Sequence, residues 1–334
     1  MKKIITLSML FIATVVFAQE EATKKLSISG SVDTYYQTNL SSSDTANPLF
    51  NGGDGGFQNF GTSFANETGF ALGMANIIAS YEGEKTGVVA DLVFGPRGDG
   101  AAGGYNLNQL YAYWNVSEGT TLTMGRFNTY LGYEVISPVG NFNYSTSYLF
   151  SNGPFSHVGL KADFALSDDF SLMLAVMNPT DVNNNLIGGY ALGAQLGYAG
   201  QFLNFYYDDN EVLGFEIDYT GGFDVSDDFF LGINAAYADN DGNGFYGAAL
   251  YPQLAVSESF GIGLRGEYFS QMIDGVDDEP SVFATTLTGS YTIENLIIKP
   301  ELRLDSNSEE VFLNSDLEGS KSLSTFLIAA IYSF

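Results

Sequence analysis

The sequence predicts an all-β protein, a transmembrane antiparallel up-and-down β-barrel of about sixteen strands, an even number. Three observations carry this prediction. An apolar export segment opens the chain, apolar and polar residues alternate along most of its length, and tight turns alternate with longer connections. We therefore expect short periplasmic turns at one end of the barrel and longer extracellular loops at the other.

The export segment is residues 1–18. Lys2 and Lys3 precede an apolar run that ends at the small residue Ala18, and the polar stretch "QEEATKK" follows at once. This pattern is typical of a secretory signal peptide, and the run is shorter than the roughly 20 residues of a membrane-spanning helix. The mature chain, 19–334, is then a single barrel domain, expected in the outer membrane of a Gram-negative bacterium.

Composition and charge favour strands and exclude several classes of function. The chain has 39 glycines, 21 tyrosines and 27 phenylalanines, no cysteine, and 12 basic against 39 acidic side chains, for a net charge of -27. Aromatic residues favour strands and glycine favours turns. Such an acidic chain repels nucleic acid and other anions, whereas cations are tolerated or attracted.

The alternation has the period of a strand between two different environments. In "FGIGLRGEYF", Ile262 and Leu264 share one face, and Arg265 and Glu267 share the other. "LIIKPELRLD" at 296–305 repeats the pattern with charged residues on one face. Because such segments recur with hardly any helical pattern to cover them, a barrel with an apolar outer face and a polar lumen is the simplest solution.

The longest predicted connections are 39–68, 129–155 and 306–320, and the turns between them are as tight as "EGEK" and "SES". Segment 129–155 follows the fifth predicted strand and is therefore the third outer loop. In many general porins the third outer loop folds into the barrel, and by that analogy we expect it to fold inward here. Its polar residues Glu134, Asn141, Asn143, Tyr144 and Ser145 would then lie near a constriction.

The last segment, "STFLIAAIYSF", ends in an aromatic residue with apolar residues at alternate positions before it. It resembles the C-terminal strand by which outer-membrane proteins are handed to the barrel-assembly machinery. The residues of this predicted barrel-insertion signal are Phe326, Ile328, Ala330, Tyr332 and Phe334.

Residues 125–161 carry a family resemblance in three blocks, "GRFNTYLGYE", "NFNYSTS" and "GPFSHVGLK". They resemble the OmpL-like β-barrel porin family of Bacteroidetes-type outer membranes, and weaker likeness extends to "GSVDTYYQTN" and "GLRGEY". The resemblance implies an outer-membrane porin and supplies no substrate. Family members often carry a basic residue where Thr146 stands here, so an anion preference of this loop is less expected.

His157 is the only histidine and the obvious candidate for catalysis. A catalytic histidine needs an orienting polar group and a nucleophile or bound water beside it. Ser156 points to the opposite face of the strand, so we assign no catalytic residue and expect no enzyme activity and no cofactor. The acidic turn "ADNDGNG" has Leu250 where a calcium loop has its glutamate, so we expect a hairpin and assign no metal ligands.

The predicted function is that of a porin allowing passive diffusion of small hydrophilic solutes or ions, with cation or neutral preference. The alternative is a structural or adhesive surface barrel with a plugged lumen, whose acidic loops bind a partner or divalent cations. Expected partners are outer-membrane lipid, lipopolysaccharide and the barrel-assembly machinery, with no nucleic acid, and a homotrimer is one compatible assembly. The candidates for lining the pore are Glu134, His157, Lys161, Asp163, Arg265, Glu267, Lys299, Glu301, Arg303 and Asp305.

Overall fold

β-Strands make up most of the structure, a computed structural model that describes residues 25–45, 58–186 and 188–334. The predicted signal peptide, 1–18, lies outside the described residues. The strands are β1 Lys25–Asn39, β2 Gly69–Glu82, β3 Thr86–Phe94, β4 Leu107–Ser117, β5 Thr120–Asn128, β6 Ser156–Ala165, β7 Phe170–Met177, β8 Ala191–Tyr198, β9 Gln201–Tyr207, β10 Phe215–Asp224, β11 Phe229–Asn240, β12 Asn243–Ala255, β13 Phe260–Met272, β14 Ser281–Ile293, β15 Leu296–Asn307, β16 Phe312–Leu313, β17 Gly319–Ser320 and β18 Ser322–Ser333.

Sixteen of these strands, β1 to β15 and β18, form one closed antiparallel barrel, and β16 and β17 form a separate small hairpin. The barrel closes where β1 pairs with β18, from Ser31 opposite Ser333 to Asn39 opposite Thr325. Closure leaves no unpaired sheet edge, which a sheet in lipid requires. The predicted up-and-down barrel with an even strand number is confirmed.

In the part of the chain that the structure describes, two short helices lie in the connections, α1 at Pro96–Ala102 and α2 at Tyr148–Asn152. The alternation of the sequence predicts neither helix, because each is shorter than the segments in which a helical period can be recognised. The described residues contain no helix with the length and apolar character needed to cross a bilayer.

Connection lengths alternate as predicted. Turns such as 118–119 and 294–295 lie at one end of the barrel, and longer loops such as 95–106 and 178–190 lie at the other. The acidic turn between β11 and β12 is shorter than predicted. Its two residues, Asp241 and Gly242, have φ angles of 54° and 86°, as the tight hairpin turn requires, so its flanking residues extend the two strands.

The two faces of the wall are as the alternation predicts. In β15, Leu302 and Leu304 are exposed on the outside, whereas Glu301 and Arg303 are only 2% exposed and point inward. An outer surface of exposed leucine, isoleucine and aromatic side chains is solvated by lipid.

The inner face of part of the wall is apolar, whereas the alternation predicts a polar lumen. Leu323, Leu327 and Ile331 of β18 point inward and are almost fully buried. They pack against Tyr144, Tyr148 and other residues of the lumen in two apolar clusters. Because the segment 129–155 covers them, these side chains do not face water, and the lumen holds a hydrophobic core.

Candidate functional site

The candidate site is the barrel lumen, and its main occupant is residues 129–155, here called loop 3, between β5 and β6. The carboxylate of Glu301 accepts hydrogen bonds from the backbone N–H groups of Tyr144, at 2.9 Å, and Ser145, at 3.2 Å. Glu267 on β13 likewise accepts from the N–H groups of Tyr148 and Leu149, at 3.0 and 2.8 Å. Two wall carboxylates therefore bind the loop backbone directly.

Arg265 binds the other polar groups of the same loop segment. Its guanidinium forms an ion pair with Glu134 at 2.6 Å and donates to the carbonyl oxygens of Ser145, at 2.6 Å, and Thr146, at 3.3 Å. Both charged side chains are buried, so water screens their attraction very little. Burying the two charges costs hydration free energy, and their close, well-aligned contact offsets that cost. Removing either partner leaves the other charge buried and uncompensated.

β15 supplies a second group of contacts. Arg303 pairs with Asp305 at 2.8 Å and donates to the carbonyl of Thr146 at 2.9 Å. Lys299 donates to the carbonyls of Pro138, at 3.0 Å, and Asn141. All three wall residues are almost fully buried. The charged residues that alternate along β15 thus act as hydrogen-bonding partners of loop 3.

Two tyrosines of loop 3 donate in the opposite direction, from the loop to the wall. The hydroxyl of Tyr144 donates to Asp33 on β1 at 2.6 Å, and that of Tyr148 donates to Asp305 at 2.9 Å. Burial raises the pKa of both phenols above its ordinary value, and the neighbouring carboxylates raise it further. Both hydroxyls therefore stay protonated and remain donors.

Arg97 and Asp33 also contact loop 3, although the sequence pattern does not indicate either as a site residue. Arg97, in α1, donates to the carbonyls of Ile136 and Tyr144 at 3.2 and 3.1 Å, and its guanidinium lies over the ring of Phe64. Asp33 lies buried on the inner face of β1. No pattern in the sequence indicates that Arg97 reaches loop 3, since it lies in a loop of its own.

Loop 3 also has internal order. Ser147 caps the short helix α2 by accepting from the N–H of Phe150, and its own hydroxyl donates to Glu134 at 2.7 Å. The side chain of Asn141 bonds both backbone groups of Val135. Asn143 donates to Thr288 of the wall at 2.7 Å. The polar residues predicted near a constriction are therefore engaged within the loop or with the wall.

His157 lies at the start of β6 with its ring fully buried. Its Nε2 is 3.0 Å from the hydroxyl of Thr129, and the rings of Phe127, Tyr130 and Tyr206 surround it. The neighbouring serine, Ser156, donates instead to Asp181. Within residues 25–45, 58–186 and 188–334, the hydrogen-bonding partner of the His157 ring is Thr129, and no serine or acidic side chain bonds it as catalysis requires.

Solvent enters the lumen on the side formed by β4 to β8. Here Lys161 and Asp163 form an ion pair at 2.8 Å, with side chains 26% and 41% exposed. They border a cavity of about 230 Å³, here called the cleft. The residues that line it are Gln109, Tyr111, Thr123, Phe127, Asn128, Thr129, Tyr130, Lys161, Asp163, Met173 and Gln195.

The pore-lining candidates fall into two groups in the structure. Lys161 and Asp163 border the cleft, whereas the other candidates are almost fully buried. The buried ones are Glu134, His157, Arg265, Glu267, Lys299, Glu301, Arg303 and Asp305. The alternation indicates correctly that the wall members of this group point inward, but loop 3 and aromatic rings cover them. That these residues line a conducting pore stays a prediction.

The residues of the predicted insertion signal lie where the alternation places them. Ile328 and Tyr332 are exposed on the outer face of β18, with Phe326 and Ala330 partly exposed beside them. The backbone of Phe334 both donates to and accepts from Gly30 of β1 at 3.0 Å. This residue therefore takes part in closing the barrel, and its recognition by the assembly machinery stays a prediction.

Comparisons with known proteins match a porin family and porin folds. The family model described as "Putative beta-barrel porin-2, OmpL-like" matches residues 25–334. The anion-selective porin from Comamonas acidovorans is similar with a TM-score of 0.59 and 12% identity, over 93% of this chain and 100% of that one. OprB of Pseudomonas putida is similar with a TM-score of 0.57 and 9% identity, over 93% and 94% of the chains. No curated protein matches. At these identities the structural likeness shows the fold.

Proposed function

Because the chain belongs to the OmpL-like family of β-barrel porins, proteins of the Gram-negative outer membrane, we propose that small hydrophilic solutes diffuse through it passively. The observation that carries this proposal is the cleft, a cavity of about 230 Å³ inside a closed barrel. The side chains of Gln109, Thr123, Lys161 and Gln195 give it a polar lining. A polar solute can exchange hydrogen bonds with water for hydrogen bonds with such a wall.

Loop 3 limits the size of the solute. It covers the inner face of the wall next to β10 to β15, β18 and β1, and buried charges hold it there. Among the described residues, the side next to β4 to β8 keeps the cleft. We infer that the barrel passes small solutes, and that diffusion needs neither a cofactor nor a chemical step. Porin barrels in general carry out no reaction, and the absence of an activity here is part of the proposal.

We further propose a preference for cations or neutral solutes over anions. The chain carries a net charge of -27, and the one lysine of the cleft, Lys161, is paired with Asp163. A negatively charged surface raises the local concentration of cations and lowers that of anions. A planar bilayer under a salt gradient tests this, because the sign of the reversal potential gives the preference. A clear anion preference would contradict the proposal.

A second candidate is a plugged barrel with a structural or adhesive role, and the burial of loop 3 favours it. Liposomes that contain the purified protein distinguish the two candidates by sugar uptake. We expect the native protein to admit small sugars, and deletion of 133–146 to increase the uptake and the single-channel conductance. A native barrel that admits nothing supports the plugged alternative, and unchanged conductance after the deletion shows that loop 3 does not restrict the pore.

The proposed partners are outer-membrane lipid, lipopolysaccharide and the barrel-assembly machinery. A homotrimer stays a prediction for this chain; one structure similar to it, of OmpT from Vibrio cholerae, is described as a trimer form. Chemical cross-linking of the protein in its native membrane tests the assembly, and three linked copies are the expected product.

A further inference from the structure

The cleft next to β4 to β8 combines aromatic rings with uncharged polar groups. Its aromatic residues are Tyr111, Phe127 and Tyr130. The uncharged polar residues of its lining are Gln109, Thr123, Asn128, Thr129 and Gln195. Amide and hydroxyl groups can both donate and accept hydrogen bonds. A lining of this kind suits an uncharged solute that carries hydroxyl groups on a carbon skeleton.

Two of the rings are held in place from behind the cleft. The hydroxyl of Tyr130 donates to the carbonyl of Phe205 at 2.7 Å, and its ring centroid lies 5.2 Å from that of His157. Gly193 makes this position possible, because a Cβ atom there would lie 2.5 Å from the Tyr130 hydroxyl. The ring of Phe127 packs against His157 as well, with centroids 6.2 Å apart. Rings that are already fixed bind a solute without a further cost of ordering side chains.

The amide side chains of the cleft are also positioned. Gln195 donates to Asn204 Oδ1 at 2.8 Å, and Gln109 Oε1 accepts from the backbone N–H of Asn128 at 3.3 Å. The side-chain oxygen of Asn128 is buried and has no hydrogen-bonding partner among the described residues. Because buried polar atoms are nearly always bonded, this open acceptor indicates a donor supplied from the cleft, either water or a hydroxyl group of a solute.

The two charged residues of the cleft neutralise each other. Lys161 Nζ bonds both carboxylate oxygens of Asp163, at 3.1 and 2.8 Å, and lies 5.6 Å from the centroid of the Phe127 ring. A charged solute would have to separate this pair in order to bind either member, whereas an uncharged solute leaves it intact. The cleft therefore favours solutes without charge.

We propose that the cleft is a saturable binding site for one neutral sugar ring, such as a hexose. The hydroxyl groups of a sugar both donate and accept, as the amides of the cleft do, and its C–H groups can pack on the electron-rich faces of aromatic rings. The volume of about 230 Å³ is below the roughly 300–1,000 Å³ of pockets that hold drug-sized ligands, so it admits a single ring. This inference rests on the proposed passage of small solutes and names their class.

Calorimetric titration of D-glucose into the purified protein, in a detergent without a sugar headgroup, tests the site. We expect one site per barrel with a dissociation constant in the millimolar range, because a site within a channel must also release its solute. Single-channel conductance should fall with glucose concentration and level off over the same range. These two readouts measure binding and passage separately.

Tyr111→Leu removes an aromatic face and should weaken glucose binding by about threefold to tenfold. Tyr111→Phe keeps the ring and should bind nearly as the native protein does. The matched control is Tyr113→Leu, which makes the same change two residues further along the inner face of β4, outside the lining of the cleft. It should bind like the native protein. Asn128→Leu removes the open acceptor and should also weaken binding, which keeps the test decisive if Tyr111→Leu does not fold.

Absence of saturable glucose binding to the native protein overturns the proposal. Equal losses in Tyr111→Leu and Tyr113→Leu do so too, because the sugar would then bind elsewhere. Gluconate carries a carboxylate on the same carbon skeleton, and binding as tight as that of glucose would contradict the preference for uncharged solutes. Sugar uptake that rises linearly without binding overturns the site and leaves passive diffusion standing. A barrel that binds glucose and admits none supports the site and contradicts the proposed passage.

Discussion

At the scale of single residues, Arg265 of β13 joins loop 3 to the wall. It binds Glu134, two loop carbonyls and Thr286 from a fully buried position. Lys161, in contrast, pairs with Asp163 in a partly solvated cleft. Both cations lie on the inner face of a strand, so their degree of burial determines how strongly each contributes to the stability of the fold.

Replacing Arg265 should release loop 3. In Arg265→Met the carboxylates of Glu134 and Glu267 stay buried without their cation, and breaking a buried pair costs about 3–5 kcal/mol. We expect a lower free energy of unfolding in detergent and larger, noisier single-channel currents. Lys161→Met is the control, since an exposed pair contributes less than about 1 kcal/mol. A variant as stable as the native protein would show that loop 3 is held by its apolar contacts.

Reversing the charge of Lys161 should change ion selectivity. In Lys161→Glu the cleft carries two acidic groups where the native protein has an ion pair, so cations are attracted more strongly. We expect the reversal potential under a salt gradient to shift toward cation preference. Lys85→Glu makes the same charge change in the exposed turn 83–85, outside the lumen, and should shift the reversal potential less. Equal shifts would show that selectivity arises from overall charge and not from the cleft.

At the scale of elements, β18 has two apolar faces with different roles. Its outer face carries Ile328 and Tyr332 toward lipid, and its inner face carries Leu327 and Ile331 toward Tyr144 of loop 3. Most strands of this barrel alternate between polar and apolar residues. A strand that is apolar on both faces therefore indicates that protein, and not water, contacts its inner face. β15 instead uses charged inner residues to bind the loop backbone.

The terminal aromatic residue of β18 should be needed for assembly. Phe334→Ala keeps the backbone pairing with Gly30 and removes only the ring, so a defect would reflect recognition and not barrel closure. We expect less folded, heat-modifiable protein in outer-membrane fractions, and Phe334→Trp should restore most of it. Native amounts of the alanine variant would contradict the role of this residue as an insertion signal.

At the scale of the whole molecule, the barrel separates three environments: lipid outside, a packed loop within, and a solvated cleft beside it. The outer surface is apolar through the middle of the strands, as at Leu302 of β15. The same strand places Glu301 and Arg303 inside. The effect of a substitution on the free energy of unfolding therefore depends more on whether the residue faces lipid or the lumen than on its position along the strand.

A charge on the lipid face should destabilise the barrel in a membrane. Leu302 lies in the middle of β15, and an arginine near the bilayer midplane of a barrel costs about 2–4 kcal/mol. We expect Leu302→Arg to lower the free energy of unfolding in lipid vesicles by that amount, measured by denaturant titration. Glu309→Arg, in an exposed outer loop, should change it little. An unaffected Leu302→Arg barrel would show that this surface does not face hydrocarbon.

The sequence by itself determined the barrel, its approximate strand number and the two faces of strands such as β13 and β15, because a period of two reports directly on two different environments. It also placed Glu301, Arg303 and Asp305 toward the interior and identified 129–155 as the third outer loop. Only the tertiary structure decided what those side chains meet inside. Contacts such as Arg265 with Glu134, Arg97 with Tyr144, and Gly132 with Asp218 join residues far apart in sequence, and no local periodicity encodes them. Alternation distinguishes the inner face of the wall from the outer face. Whether the inner face contacts water or protein depends on how loop 3 packs.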